Sequence, residues 1–355
     1  MSATSWPARR PANSRSSSSA LPTGRAWRSR STSPRPDPCL ALRFEHHQTA
    51  GHARVAAVQA APAFLDRAGT IAIVLNRLAE AAAGGADLVA FPETFVPGYP
   101  VWADISNTSA WEDADQQAAY SIYLDQAVDV DGAEFTEVVT AVRDLGVFAY
   151  IGVVERSASR GSVYCSLVAI DPSTGVVGVH HKIKPTFGER LLWADGDGAG
   201  LRTHEYRGVR LSGLNYWENW MPLARAAMYA AGTEIHVAVW PGAPHLTRDI
   251  TRFVAREGRV FVVSVGGLYR QEHIPESFPL RDQLADAGPW SYDGGTAIAG
   301  PDGRWIVEPV RREETIVLAD LDPAMVRAQR QNFDPAGHYA RPDVLKLEVT
   351  RTRPA

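Results

Sequence analysis

Gly213-Leu214-Asn215-Tyr216-Trp217-Glu218-Asn219-Trp220-Met221-Pro222-Leu223 runs from an apolar strand into the start of a helix. Residues 209–214 supply the strand and residues 221–228 the helix. Pro222 suits the first helical turn, where its missing N–H would be unpaired in any case. An abrupt strand-to-helix turn of this kind, a nucleophile-elbow type of geometry, projects one side chain from the end of a sheet. Backbone N–H groups at the helix start can then bind an anion or oxyanion. The side chain at the junction is Tyr216. Read by itself it is a core aromatic with a hydrogen-bonded hydroxyl.

The same alternation extends on both sides. Residues 54–60 (RVAAVQA) predict a buried strand. Ile71, Val74, Leu75, Leu78 and Ala82 then share one helical face, which Gly84-Gly85 ends. Residues 86–91 (ADLVAF) predict a second strand leading into Pro92-Glu93. A helix over 135–145 precedes an apolar strand over 147–154. Asp171-Pro172-Ser173-Thr174-Gly175 and Gly300-Pro301-Asp302-Gly303 are turns between paired strands. Further strands are expected at 209–214, 234–240, 259–265 and 315–318. Helices alternating with short apolar strands and hairpins predict an α/β protein, a mixed sheet layered with helices.

The totals narrow the class. Of 355 residues, 45% are hydrophobic and 21% charged, enough for a sizeable core. A formal charge of −4 gives no reason to expect nucleic acid or an anionic membrane as partner. No apolar run approaches the roughly 20 residues that span a bilayer. Cys39 and Cys165 make no disulfide framework and suit a reducing, cytoplasmic compartment. Residues 1–52 are rich in Ser, Pro and Arg, lack periodicity, and are expected to be a disordered extension. Residues 348–355 are expected to be a flexible tail.

Polar groups gather at strand ends, where α/β proteins place their sites. Glu93 directly follows a buried strand, so partial desolvation would raise its pKa toward that of a general base. The alternative is an acid that caps a turn. Lys182, in His180-His181-Lys182-Ile183-Lys184-Pro185-Thr186, offers a fixed positive charge to an oxyanion, or is one of a run of solvated lysines before a proline turn. His180 and His181 resemble metal ligands, but strand neighbours point to opposite faces, so no metal site is expected.

Together these segments carry a family resemblance. Phe91-Pro92-Glu93 with Pro97-Gly98-Tyr99-Pro100 resembles the general-base segment of the nitrilases, a branch of the carbon–nitrogen hydrolase superfamily. His181-Lys182-Ile183-Lys184-Pro185-Thr186 with Glu189-Arg190 is similar to their lysine segment. Gly213-Leu214-Asn215 with Trp217-Glu218-Asn219 resembles the frame of their cysteine segment, and Asp334-Pro335-Ala336-Gly337-His338-Tyr339-Ala340-Arg341-Pro342-Asp343-Val344 resembles their C-terminal signature. Four such motifs in order make chance similarity negligible, and the match covers about residues 54–347.

The resemblance implies a nitrilase-like four-layer αββα sandwich over 53–347, a homo-oligomer (dimer or spiral), and no cofactor or metal. It makes Glu93 the general base, Lys182 the oxyanion stabiliser and Glu189 a second acid that positions the lysine. In the family, a cysteine thiolate attacks a nitrile carbon to give a thioimidate. Water and loss of ammonia then yield a thioester, and hydrolysis releases the carboxylic acid. Tyr216 stands where that cysteine is expected. A phenol near pKa 10, against about 8.5 for a thiol, is a poorer source of anion, and it is bulkier. Cys165, within an apolar strand, is expected to be buried and inert. A further departure, Ala194 for a frequent Gly, is slight.

Three explanations follow: a nitrilase that has lost its nucleophile by a single change, a non-catalytic descendant that binds a nitrile- or amide-like ligand or assembles as a scaffold, and a Tyr-based hydrolase. Retention of Glu93, Lys182 and Glu189 favours the first.

Overall fold

A computed structural model describes residues 52–353 apart from 107, 160, 286 and 287. The extension expected over 1–52 lies outside the described residues, except for His52.

The strands in chain order are β1 (Ala53–Gln59), β2 (Leu88–Ala90), β3 (Phe148–Arg156), β4 (Val163–Asp171), β5 (Gly175–His181) and β6 (His204–Tyr206). They continue with β7 (Val209–Asn215), β8 (Ile235–Trp240), β9 (Phe261–Gly266), β10 (Leu268–Arg270), β11 (Trp290–Ala299), β12 (Trp305–Arg311) and β13 (Thr315–Leu321). The main helices are α1 (Arg67–Ala83), α2 (Trp102–Ile105), α3 (Ala114–Asp125), α4 (Ala133–Leu145), α5 (Pro222–Ala230) and α6 (Pro244–Gly258).

Two sheets form. One has the order β13-β1-β2-β3-β4-β5, the other β10-β11-β9-β8-β7-β6, with β12 paired to β11. Strands β1, β2 and β3 are parallel, as are β7, β8 and β9, so each pair needs a crossover, which α1, α4, α5 and α6 help supply. These strands are buried on both faces, which is why they read as continuous apolar runs. Val55, Ala57, Leu88 and Tyr150 of the first sheet pack against Leu211, Val237, Val263 and Ile298 of the second. The outer face of the first sheet takes Val74 and Leu78 of α1 with Val138 and Val142 of α4. That of the second takes Ile250, Val254 and Ala255 of α6 against Ala238 and Val262. The layers are therefore α–β–β–α, the expected sandwich.

Helices α3 and α6 have no counterpart in the sequence reading. The buried stripe of α6 includes Thr247 and Thr251, and α3 buries only Ala119 and Tyr123, so neither shows an unbroken apolar face. The helix expected from Met221 begins at Pro222, after a 3₁₀ turn over Tyr216–Trp220. Residues 348–353, expected as a flexible tail, lie against the domain. Arg351 donates to Leu201 O at 3.0 Å, and Arg353 donates to Asp197 Oδ2 at 2.9 Å. Among the described residues no helix is long and apolar enough to cross a membrane.

Candidate active site

Three chain segments converge beyond the strand ends. After β2, Phe91 donates its N–H to Tyr150 O, and Glu93 follows as the chain leaves the sheet. The crossing over β3 depends on Gly152, where a Cβ would collide with Pro92 O and the Thr94 backbone. After β5, the Lys182 N–H donates to Cys165 O at 2.7 Å, which keeps the lysine in register with β4. After β7 comes Tyr216.

Lys182 Nζ donates to Glu93 Oε1 at 2.8 Å and to Glu189 Oε2 at 2.6 Å. All three side chains are buried. One ammonium between two carboxylates leaves the cluster short of positive charge. Burial, reinforced by the charge of Glu189, raises Glu93 to about 8 against the pull of Lys182. Lys182 is raised by the two carboxylates, which outweigh its desolvation. At neutral pH the proton therefore stays on Glu93 and on the ammonium. Glu93 Oε2 is buried and has no hydrogen-bond partner among the described residues.

Glu189 and Glu218 use one device twice. Each sits in the first turn of a 3₁₀ helix and turns back to its own cap residue. Glu189 Oε2 accepts from the Thr186 N–H at 2.5 Å as well as from Lys182. Glu218 Oε2 accepts from the Asn215 N–H at 2.9 Å and pairs with His180 Nε2 at 2.9 Å. Glu218 Oε1 accepts from the Ile183 N–H at 2.6 Å. Glu218 thus joins the Tyr216 turn to the strand that carries Lys182. Asn219 closes the turn, donating to Leu214 O and Tyr216 O while pairing with His236 Nε2. Burial lowers His236 to about 3, so this histidine is neutral.

Tyr216 sits at φ 41°, as does Phe187, and Thr94 is at 44°. The left-handed region costs a non-glycine residue about 1–3 kcal/mol and concentrates at functional sites. Here it recurs beside each of the converging segments. The Tyr216 ring lies edge-on to Trp240 and 5.1 Å from Lys182 Nζ, and Trp193 lies 5.2 Å from the same nitrogen. Burial pushes the Tyr216 phenol well up, so it stays protonated.

The sequence model of the carbon–nitrogen hydrolase family matches residues 54–331. A nitrilase from Pseudomonas syringae pv. syringae (strain B728a) is 38% identical over 309 residues, covering 83% of this chain and 88% of that protein. An aliphatic nitrilase from Sinorhizobium fredii (strain HH103) is 36% identical over 297 residues, covering 83% and 95%. This chain belongs to the carbon–nitrogen hydrolase family, in its nitrilase branch. The fold agrees. A solved carbon–nitrogen hydrolase superfamily protein from Xanthomonas campestris, with an arsenic adduct in its active site, superposes with a TM-score of 0.62. It is 22% identical, and the match covers 81% of this chain and 96% of that one.

Within this nitrilase-branch chain, Glu93, Lys182 and Glu189 are in direct contact, and Tyr216 faces them across the ammonium. His180 and His181 bond different carboxylates, Glu218 and Glu155. Cys165 is buried as expected, yet its thiol donates to Glu93 Oε1 at 3.3 Å, a contact that sequence reasoning missed. Burial, then the neighbouring Glu93 charge, holds that thiol protonated. Tyr99 and Asp104 were also missed as members of the network. The signal for Cys165 was the alternation of β4, which puts it on one face with Leu167 and next to the strand of Lys182.

Proposed function

We propose that the chain carries a nitrilase-type hydrolytic site complete except for its nucleophile, and that as written it converts nitriles to carboxylic acid and ammonia at a severely impaired rate or not at all. The observation that carries this is the buried Glu93–Lys182–Glu189 cluster, with Tyr216 set on the elbow above it. Glu93 is the general base once its proton is lost, and its unpartnered Oε2 is the atom that exchanges that proton with a reacting group. Lys182 is the oxyanion stabiliser, and Glu189 fixes the lysine. The substrate class is a small nitrile or amide-like molecule. Residues 53–347 form the hydrolase domain and 1–52 an extension. The protein acts in the cytoplasm as a homo-oligomer, without cofactor or metal.

Tyr216 works against turnover in two ways. Its phenol is held protonated by burial, and its ring fills space over the ammonium that a reacting carbon would need. Ammonia release from aliphatic, aryl and arylacetic nitriles by the chain as written tests the reading. No release is expected, and sustained turnover would overturn it.

The same closed geometry favours one second reading, a non-catalytic binding or assembly protein. Lys182 is fully satisfied by two carboxylates and two rings, as a structural cluster would be. Thermal stabilisation by nitriles or amides without turnover would mark a binder.

A further inference from the structure

Among the described residues, few side-chain hydrogen bonds lead away from the buried cluster. Glu93 accepts from the Cys165 thiol, and Glu189 accepts from the Thr186 N–H and the Tyr99 hydroxyl. Cys165 is buried, and Thr186 contributes only a backbone amide. Tyr99 differs. Its buried Oη lies 2.8 Å from Glu189 Oε1 and 3.1 Å from Asp104 Oδ2. Asp104, on α2, is exposed to solvent. Asp104 Oδ2 also accepts from the Tyr292 hydroxyl of β11.

A phenol has one proton to donate. Here one hydroxyl stands between two carboxylate oxygens, and Tyr292 already donates to Asp104. Both contacts of Tyr99 are hydrogen bonds only when one carboxyl carries a proton. With the proton on Asp104, Tyr99 accepts from Asp104 and donates to Glu189. With the proton on Glu189, the directions reverse. The two arrangements differ by one concerted shift along a short, water-excluded chain, where such bonds reinforce one another.

We propose that Asp104 and Tyr99 form a proton relay between solvent and the buried Glu93–Lys182–Glu189 cluster. Asp104 takes a proton from water. It passes that proton to Tyr99 Oη as Tyr99 gives its own to Glu189 Oε1, so the phenol ends unchanged. The Glu189 carboxyl, protonated on Oε1, then turns over about its Cγ–Cδ bond and gives that proton to Lys182 Nζ as the ammonium gives one to Glu93 Oε1, and the count is conserved at each step. The titratable groups facing Tyr99 are Glu189, Tyr292, Asp104 and Glu93. Those facing Asp104 are Tyr99, Tyr292 and Tyr216. Tyr269 contacts the Tyr99 backbone, accepting its N–H at 2.6 Å. Burial and the surrounding carboxylates disfavour the Tyr99 phenolate, so the proton is handed across and no tyrosine anion forms.

The relay rests on this geometry and not on nitrile hydrolysis, so its test uses the chain as written. Infrared absorption of the protonated carboxyl, assigned by its loss in Glu93→Gln, is followed after a pH jump. Tyr99→Phe keeps the ring and removes the relaying oxygen. Asp104→Asn changes an exposed residue and leaves Tyr99 in place. Each variant is expected to slow protonation of the buried carboxyl on the order of 100-fold, the low end of what a positioned proton-transfer group contributes. If Tyr99→Phe does not fold, Asp104→Asn decides. An unchanged rate in folded Asp104→Asn, or in folded Tyr99→Phe, overturns the relay. A merely structural role for either residue would alter stability and leave that rate alone.

Discussion

The ring of Tyr216 covers the ammonium of Lys182, with 5.1 Å between Nζ and the ring centre. With Trp193 on another side and carboxylates of Glu93 and Glu189 bonded to the same nitrogen, the charge is enclosed. A desolvated ammonium near an aromatic face gains about 2 kcal/mol. A tyrosine at the elbow therefore stabilises the cluster by closing it.

Lys182→Met is expected to cost about 3–5 kcal/mol, because it leaves two buried carboxylates facing each other with no cation between them. Urea unfolding measures this directly. A loss below about 1 kcal/mol, the range of exposed pairs, would mean that the cluster is wetter than its burial indicates.

Stability should fall as pH rises through the range set by Glu93. Its carboxyl, ordinarily at 4.5, is raised to about 8 in the folded chain, so the folded state holds a proton that the unfolded chain releases. That contribution is fully present below 4.5, declines as pH rises, and is gone above about 8. Glu93→Gln, which keeps the shape and cannot titrate, should flatten the Tm–pH curve across this window. A curve of equal slope in the variant would place the proton elsewhere.

Glu218→Ala should destabilise the elbow more than an ordinary surface change. It strips the Asn215 and Ile183 N–H groups of their acceptor, each worth about 1–3 kcal/mol when left unpaired and buried. Loss of hydrogen-exchange protection at both amides, while β1 stays protected, is the expected signature. A variant with both amides still protected would show that the turn stands without Glu218.

The mixed sheet layered with helices was legible because its signals are local, whereas the four-layer sandwich and the grouping of Glu93, Lys182 and Glu189 were what the family resemblance implied. Glu93 follows a buried strand, Lys182 ends another, and Pro222 marks a helix start, each readable within about ten residues. What escaped was set by distance or by mixed composition. Cys165 meets Glu93 across 72 positions, and Tyr99 meets Glu189 across 90. No periodicity within one strand reveals which strand lies beside it. Helix α6 escaped because threonines occupy part of its buried stripe. The charge of Glu93 was anticipated in direction, since a carboxylate at a sheet rim is desolvated. Its size is set first by complete burial and then by the opposed charges of Lys182 and Glu189, which only the fold brings together.

The most direct measurement is ammonia release from a nitrile panel by four folded proteins: the chain as written, Tyr216→Cys, Tyr216→Cys with Glu93→Gln, and Tyr216→Cys with Lys182→Met. Turnover by Tyr216→Cys alone is the predicted result, with intact-mass detection of a covalent adduct on the new cysteine. Turnover by the chain as written would contradict the account. So would silence from a folded Tyr216→Cys protein that is still stabilised by nitriles, because Tyr216 would then not be what stands between this site and its chemistry.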